Sequence, residues 1–167
     1  MKVSIFIDGA NLYFMHRDNL KWQLDYAKFR DFLGGFGDVV DCIFYTGAGA
    51  PPDVRQAKFL DFLSYNGFSI EQKTIKDIMQ EDGSRVQKAN LDIELVMDMF
   101  NQIENYDLAI LVSGDGDFER PLDLLRARGK QFKVISTPGT VASELRRKAG
   151  AHFIDMATLQ TRLEKDV

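Results

Sequence analysis

The sequence predicts an α/β fold with a parallel sheet between layers of helices. Strand-like and helix-like segments alternate along the chain, the pattern of repeated βαβ units. The strongest strand signals are continuous apolar runs, as expected of strands buried on both faces. Two of these runs stop at aspartate and glycine: Ile5-Phe6-Ile7-Asp8-Gly9-Ala10-Asn11-Leu12-Tyr13 and Leu111-Val112-Ser113-Gly114-Asp115-Gly116-Asp117-Phe118. Glycine there permits a tight turn with no Cβ in the way. Both runs should therefore deliver carboxylates to one edge of the sheet, the carboxyl edge where open α/β sheets bind ligands.

The elements follow in order. Lys2 to Asp8 is the first strand, and Asn11 to about Asp18 a short helix. Tyr26 to Leu33 is a helix by the spacing of Tyr26, Phe29, Phe32 and Leu33, broken by Gly34-Gly35-Phe36-Gly37. Val39 to Tyr45 is the second strand. Pro51-Pro52 opens a helix through about Tyr65, since proline suits a first helical turn. Gly67 closes it, and Phe68 to Lys73 alternates as a third strand. Met79 to Lys88 is polar and is expected to be a mobile loop.

Ala89 to about Ile103 is a long helix with Leu91, Leu95, Val96, Met99 and Ile103 inward. Leu108 to Ser113 is the fourth strand, and Phe118 to Arg128 a helix ended by Gly129. Phe132 to Ser136 is the fifth strand, and Val141 to Ala149 a helix ended by Gly150. His152 to Asp155 is a candidate short sixth strand before a C-terminal helix. No repeat or linker interrupts the series, so one domain is expected over residues 1–167.

Composition narrows the function. Of 167 residues, 45% are hydrophobic and 28% charged, ordinary for a globular protein. The lone cysteine, Cys42, excludes an internal disulfide and a cysteine metal cage; its apolar run makes it a core thiol. The chain opens into a strand with no apolar leader, and no run approaches the ~18 residues of a membrane span. A cytoplasmic location is the expectation. The net charge of −4 argues against one large basic face, but not against an enzyme of nucleic acid whose acidic residues hold cations.

Asp8, Asp115 and Asp117 share the presumed edge, and Asp92 begins a helix just after the polar segment. Bare carboxylates 4 Å apart repel by about 4 kcal/mol at an effective dielectric of 20, so a converging set must protonate or recruit cations. Hard divalent ions take oxygen ligands and support phosphoryl displacement. A metal-dependent phosphodiesterase is the chemistry such a set suggests. Three of the aspartates also have a structural reading: Asp8 and Asp117 as helix caps, Asp92 as a first-turn charge on the helix dipole. Asp115 has the weakest, since glycines on both sides leave it little packing duty. Asn11 is either a cap or a ligand-binding amide. Ser113 is placed to hydrogen-bond a neighbouring carboxylate. Lys88, four residues before Asp92, is the basic residue set nearest a substrate phosphate. Tyr13, Phe14 and Trp22 could stack bases, but core packing is the commoner fate of such aromatics.

Other motifs fail. The calcium-loop reading of Asp115-Gly116-Asp117 needs glutamate where Arg126 stands. Gly47 and Gly49 do not complete a dinucleotide fingerprint, because Pro52 takes the third glycine's place. Val112-Ser113-Gly114 lacks a nucleophile-elbow frame. His16 and His152 have no zinc or triad spacing.

Phe6-Ile7-Asp8-Gly9-Ala10-Asn11-Leu12-Tyr13, Lys88-Ala89-Asn90-Leu91-Asp92 and Ser113-Gly114-Asp115-Gly116-Asp117-Phe118 with Pro121-Leu122 together resemble the NYN domain family, in its LabA-like branch. The likeness spans nearly the whole chain. It implies a PIN-like three-layer α/β/α sandwich with a central parallel sheet of about five strands, ordered 3-2-1-4-5. It also implies a magnesium- or manganese-dependent ribonuclease acting on RNA, in single-stranded form. Carried over by motif, Asp8, Asp92, Asp115 and Asp117 match the catalytic, metal-binding positions, and Asn11 the polar residue of the first motif. Ala89-Asn90-Leu91 departs from the glycine and small aliphatic residue that the family commonly has before the position of Asp92. The alternative is a catalytically inactive regulatory module of the same fold that binds RNA or protein; a phosphatase or nucleotidase on small substrates is a third reading. Pairing into a homodimer through surface helices is compatible with the family.

Overall fold

Eight strands and seven α-helices are built from these segments in the computed structural model, which describes residues 1–48, 53–74, 76–88 and 90–167, with the backbone alone over 76–78 and 85–88. In chain order they are β1 (Lys2–Asp8), α1 (Gly9–Phe14), α2 (Tyr26–Gly34), β2 (Asp38–Ala48), α3 (Val54–Tyr65), β3 (Ser69–Thr74), β4 (Lys76–Met79), β5 (Arg85–Lys88), α4 (Asp92–Asn101), β6 (Leu108–Val112), α5 (Glu119–Ala127), β7 (Gln131–Ser136), α6 (Ser143–Ala149), β8 (Phe153–Asp155) and α7 (Gln160–Leu163). A π-helical turn, Met15–Leu20, prolongs α1.

The main sheet is six-stranded and parallel throughout, in the order β3-β2-β1-β6-β7-β8. Its five inner-numbered strands keep the expected 3-2-1-4-5 arrangement. The sheet has six strands rather than about five because Phe153–Asp155 pairs with Val134–Ser136 and extends the edge.

Both faces of the sheet are covered, and side chains alternate between them. Val3, Ile5 and Ile7 of β1 enter one core layer with Leu12, Phe29 and Leu63, while Phe6 enters the other with Leu95, Phe118 and Leu122. β6 divides in the same way, with Leu108, Ile110 and Val112 on one side and Ala109 and Leu111 on the other. All five residues of β6 are buried. Each large apolar side chain removed from water on either face contributes about 1.5–3 kcal/mol.

Three local expectations change. The polar segment from Met79 to Lys88 is not simply a loop: β4 and β5 form an antiparallel hairpin, Met79 opposite Arg85 and Lys76 opposite Lys88. Its turn is closed by the Gln80 N–H to Ser84 carbonyl bond at 2.8 Å, with Gly83 at φ 84°. Asp82-Gly83 is a hairpin signal that the polar composition obscured. The helix expected from Ala89 starts at Asp92, because Asn90 Oδ1 accepts the Asp92 N–H at 2.8 Å and turns the chain there. The helix opened from Pro51-Pro52 begins at Val54, with Asp53 accepting the Arg55 N–H at 2.8 Å; the two prolines and Ala89 lie outside the described residues.

Candidate metal centre

β1 is the point at which the chain's strand order reverses. From it the sheet grows toward β2 and β3 on one side and β6, β7 and β8 on the other. A crevice opens at such a switch point, beyond the carboxyl ends of the two diverging strands. Asp8 ends β1, and Ser113 to Asp117 follow β6, so both motifs flank this crevice.

A relay of hydrogen bonds locks the two motifs together. Asp8 Oδ1 accepts the Asn11 N–H at 3.2 Å, capping α1, and Asp8 Oδ2 accepts the Ser113 hydroxyl at 3.0 Å. Ser113 Oγ in turn accepts the Asp115 N–H at 3.1 Å. Asn11 Oδ1 crosses to the second motif and accepts the Gly114 N–H at 2.9 Å. Asp115 Oδ1 accepts the Asp117 N–H at 2.9 Å. Asp115, not Asp117, is therefore the cap at this turn, because Asp115 is extended while Asp117 lies within the 3-10 turn Gly116–Phe118. Ser113 is fully buried and uses both its donor and its acceptor inside the protein.

The glycines allow this close approach. A Cβ on Gly9 would stand 2.5 Å from the Tyr45 carbonyl oxygen and 2.8 Å from the Phe44 ring. One on Gly114 would stand 2.7 Å from the Thr140 carbonyl oxygen.

α4 brings the remaining carboxylate. One oxygen from each of Asp92, Asp115 and Asp117 lies within 4.8 Å of the others. Asp8, Asn11, Phe14, Tyr45, Asp92 and Asp115 line a cleft of about 250 Å³. Asp8, Asp92 and Asp115 are half-buried and Asp117 is exposed at the rim. Burial pushes the Asp92 carboxyl up to about 7, helped by the charge of Asp8 and by the hydrogen bond and charge of Asp115. Burial also raises Asp8, opposed by its bonds from Asn11 and Ser113. The ion pairs found among the described residues include none of the four.

The other sequence candidates are distributed as follows. Lys88 ends β5, but its side chain lies outside the described residues. Two further lysines are engaged in ion pairs, Lys73 with Glu94 at 2.8 Å and Lys148 with Asp123 at 2.6 Å. Trp22 is buried, whereas Tyr13 and Phe14 are exposed. Reading the sequence missed β2 as a wall of the site: Tyr45, Thr46 and Gly47 line the cleft. Tyr45 is buried, and its hydroxyl donates to Asp98 Oδ2 at 2.8 Å, which ties Asp98 to that wall from α4. The signal was available, since β2 neighbours β1 and ends at the same edge.

The fold and site together define a nuclease-like α/β domain with an acidic cleft. The chain belongs to the NYN domain family, whose signature matches residues 2–159. It is 39% identical over 168 residues to the low amplitude and bright protein LabA of Synechococcus elongatus, covering 98% of this chain and 88% of that protein. Its fold is also that of a Vibrio parahaemolyticus protein of unknown function, with a TM-score of 0.78 and 29% identity over 93% of this chain and 92% of the other. Among the described residues, no helix is long and apolar enough to cross a membrane.

Proposed function

We propose that this protein is a magnesium- or manganese-dependent endoribonuclease that hydrolyses RNA phosphodiester bonds in the acidic cleft. The observation that carries the reading is the convergence of Asp92, Asp115 and Asp117 to within 4.8 Å, with Asp8 in the same cleft wall.

The residues fit a hard divalent cation. They offer oxygen donors only, they are partly open to solvent, and burial together with the neighbouring carboxylate charges raises the Asp92 carboxyl. Asp92, Asp115 and Asp117 would hold the ion, with Asp8 completing the set. When bound, such an ion supplies charge neutralisation for an in-line phosphoryl displacement and lowers the pKa of the attacking water.

The chain's own groups prepare the site. Ser113 donates to the Asp8 carboxylate and accepts from the Asp115 backbone N–H, and the Asp117 N–H holds the Asp115 carboxylate. Asn11 ties the α1 turn to Gly114, so the two motifs cannot drift apart. Without a cation, burial and the neighbouring carboxylates favour the protonated form of Asp92, and a bound cation would favour its ionised form. The half-buried cleft limits water and strengthens each of these interactions.

The experiment is cleavage of an end-labelled RNA by the purified protein in Mn²⁺, beside Asp115→Asn. The wild type is expected to cleave, and the variant to be slower by about a hundredfold or more, the loss implied by several kcal/mol of transition-state stabilisation. Equal rates for the two proteins refute the reading. Absence of cleavage with any divalent ion, with RNA binding retained, makes the protein a regulatory module of the same fold.

A further inference from the structure

The first helix carries large aromatic side chains on its outer face. Leu12 and Met15 are fully buried against the sheet, as an amphipathic helix requires. Ala10, Tyr13, Phe14 and Arg17, spaced i, i+3, i+4 and i+7, form the opposite stripe, and all are exposed. Tyr13 is 59% exposed and Phe14 46%, whereas Phe6, Phe29 and Phe118 are fully buried. Their two rings meet edge to face at 5.4 Å. The Arg17 guanidinium sits 4.6 Å from the Phe14 centroid and 5.7 Å from that of Tyr13.

This stripe borders three adjoining hollows. Phe14 lines the acidic cleft. Phe14 and Tyr13 line a neighbouring trough of about 710 Å³, with Phe59, Arg55 and Gln56 on its walls. Tyr13 also borders a third hollow of about 640 Å³, whose lining includes Arg17, Lys21 and Lys165. Lys21 and Lys165 enter no ion pair among the described residues. The backbone beneath is unusual as well. It widens to π geometry over Met15–Leu20 and ends at Lys21 with φ 60°, the non-glycine positive φ among the described residues. Such departures cluster at functional sites.

We propose that the Tyr13–Phe14 face is a base-stacking platform for a single-stranded RNA segment adjoining the bond held in the acidic cleft, with Lys21 receiving its phosphates while Arg17 is paired with Asp18 at 2.7 Å. The inference rests on the ribonuclease reading, whose substrate form it specifies. Aromatic faces accept any base, so the platform is tolerant of sequence. Bases already stacked inside an A-form duplex cannot reach it, which selects unpaired RNA. Charge complementarity supports this occupant: the stripe leads from carboxylates that would bind a cation to the hollow lined by Lys21 and Lys165, which enter no ion pair among the described residues. A second copy of the chain would be served better by an aliphatic patch, such as exposed Ile93 and Met97 on α4.

The test uses fluorescence anisotropy with a short fluorescein-labelled oligoribonucleotide of mixed sequence and magnesium present. All proteins carry Asp115→Asn so that the probe survives. Tyr13→Ala/Phe14→Ala is expected to weaken binding by about tenfold per ring removed. Tyr13→Trp/Phe14→Trp retains affinity, and Tyr65→Ala, an exposed aromatic change on α3, leaves it unaltered. A duplex of the same length binds more weakly and ignores the alanine changes. Double-alanine affinity within about twofold of the parent overturns the platform. So does a switch from dimer to monomer in sedimentation with RNA affinity unchanged, which assigns the face to self-association. Cleavage by the Asp115-containing protein is scored separately. Cleavage with ring-independent binding rejects the platform alone, and ring-dependent binding without cleavage rejects the nuclease reading alone.

Discussion

Asp92→Asn is expected to stabilise the protein in chelator and to abolish its response to divalent cations. The Asp92 carboxyl rises from 3.8 in the unfolded chain to about 7 in the fold. Fully desolvated, that difference would carry about 4 kcal/mol. Asp92 is only half-buried, and solvent screening reduces the figure to about 1–2 kcal/mol. The sign follows from the direction of the shift. Below 3.8 the carboxyl is neutral in both states, and wild type and variant do not differ on this account. As pH rises toward about 7, the unfolded chain ionises more readily than the folded one, so the wild type loses stability that the asparagine variant keeps.

The assay is thermal unfolding by circular dichroism in chelator. The variant should melt about 2–8 °C higher near pH 8, with the gap closing near pH 4. Saturating cation reverses the ranking. At a hundred times its dissociation constant it stabilises the wild type by about 2.7 kcal/mol, and the variant by much less. Equal melting temperatures in chelator near pH 8 would refute the argument that the carboxylates are held together at a cost.

Two further outcomes test the scaffold. Gly9→Ala should lower stability by about 1–3 kcal/mol, read as a lower urea midpoint, since its Cβ meets the β2 backbone at the Tyr45 carbonyl. The same shift should reduce cleavage by moving Asp8 relative to Asp115. Asn11→Ala leaves the buried Gly114 N–H without its partner and should cost about 1–3 kcal/mol, with faster hydrogen exchange at Gly114 as the local signature. Unchanged exchange there would mean that the tie between motifs is not maintained in solution.

Much of the fold was written locally. β1 and β6 are apolar runs because both faces of each are covered, and such burial leaves an unbroken hydrophobic string. Their endings at Asp8 and at Ser113-Gly114-Asp115 followed from glycine and a capping side chain, both short-range features. The β4–β5 hairpin and β8 were harder to read. The hairpin's pairing is made by backbone hydrogen bonds that polar side chains do not advertise, and β8 is three residues long. Asn90 showed the same limit: only the turn it makes explains why α4 presents Asp92 in its first residue.

The sequence by itself determined which carboxylates lie at the ends of β1 and β6, because there an apolar run meets aspartate beside glycine. It did not determine which surfaces face each other. α1 has apolar residues on two sides, Leu12 and Met15 on one, Tyr13 and Phe14 on the other, and no local rule chooses between them. The sheet makes the choice: β1 and β2 take up Leu12 and Met15, and the aromatic pair is left beside the cleft. Likewise, Asp92 meets Asp115 and Asp117 only because α4 packs against β1 and shares a core layer with β6. Local chemistry sets the conformation of each segment, while burial of shared apolar surface between distant segments decides what stands opposite what.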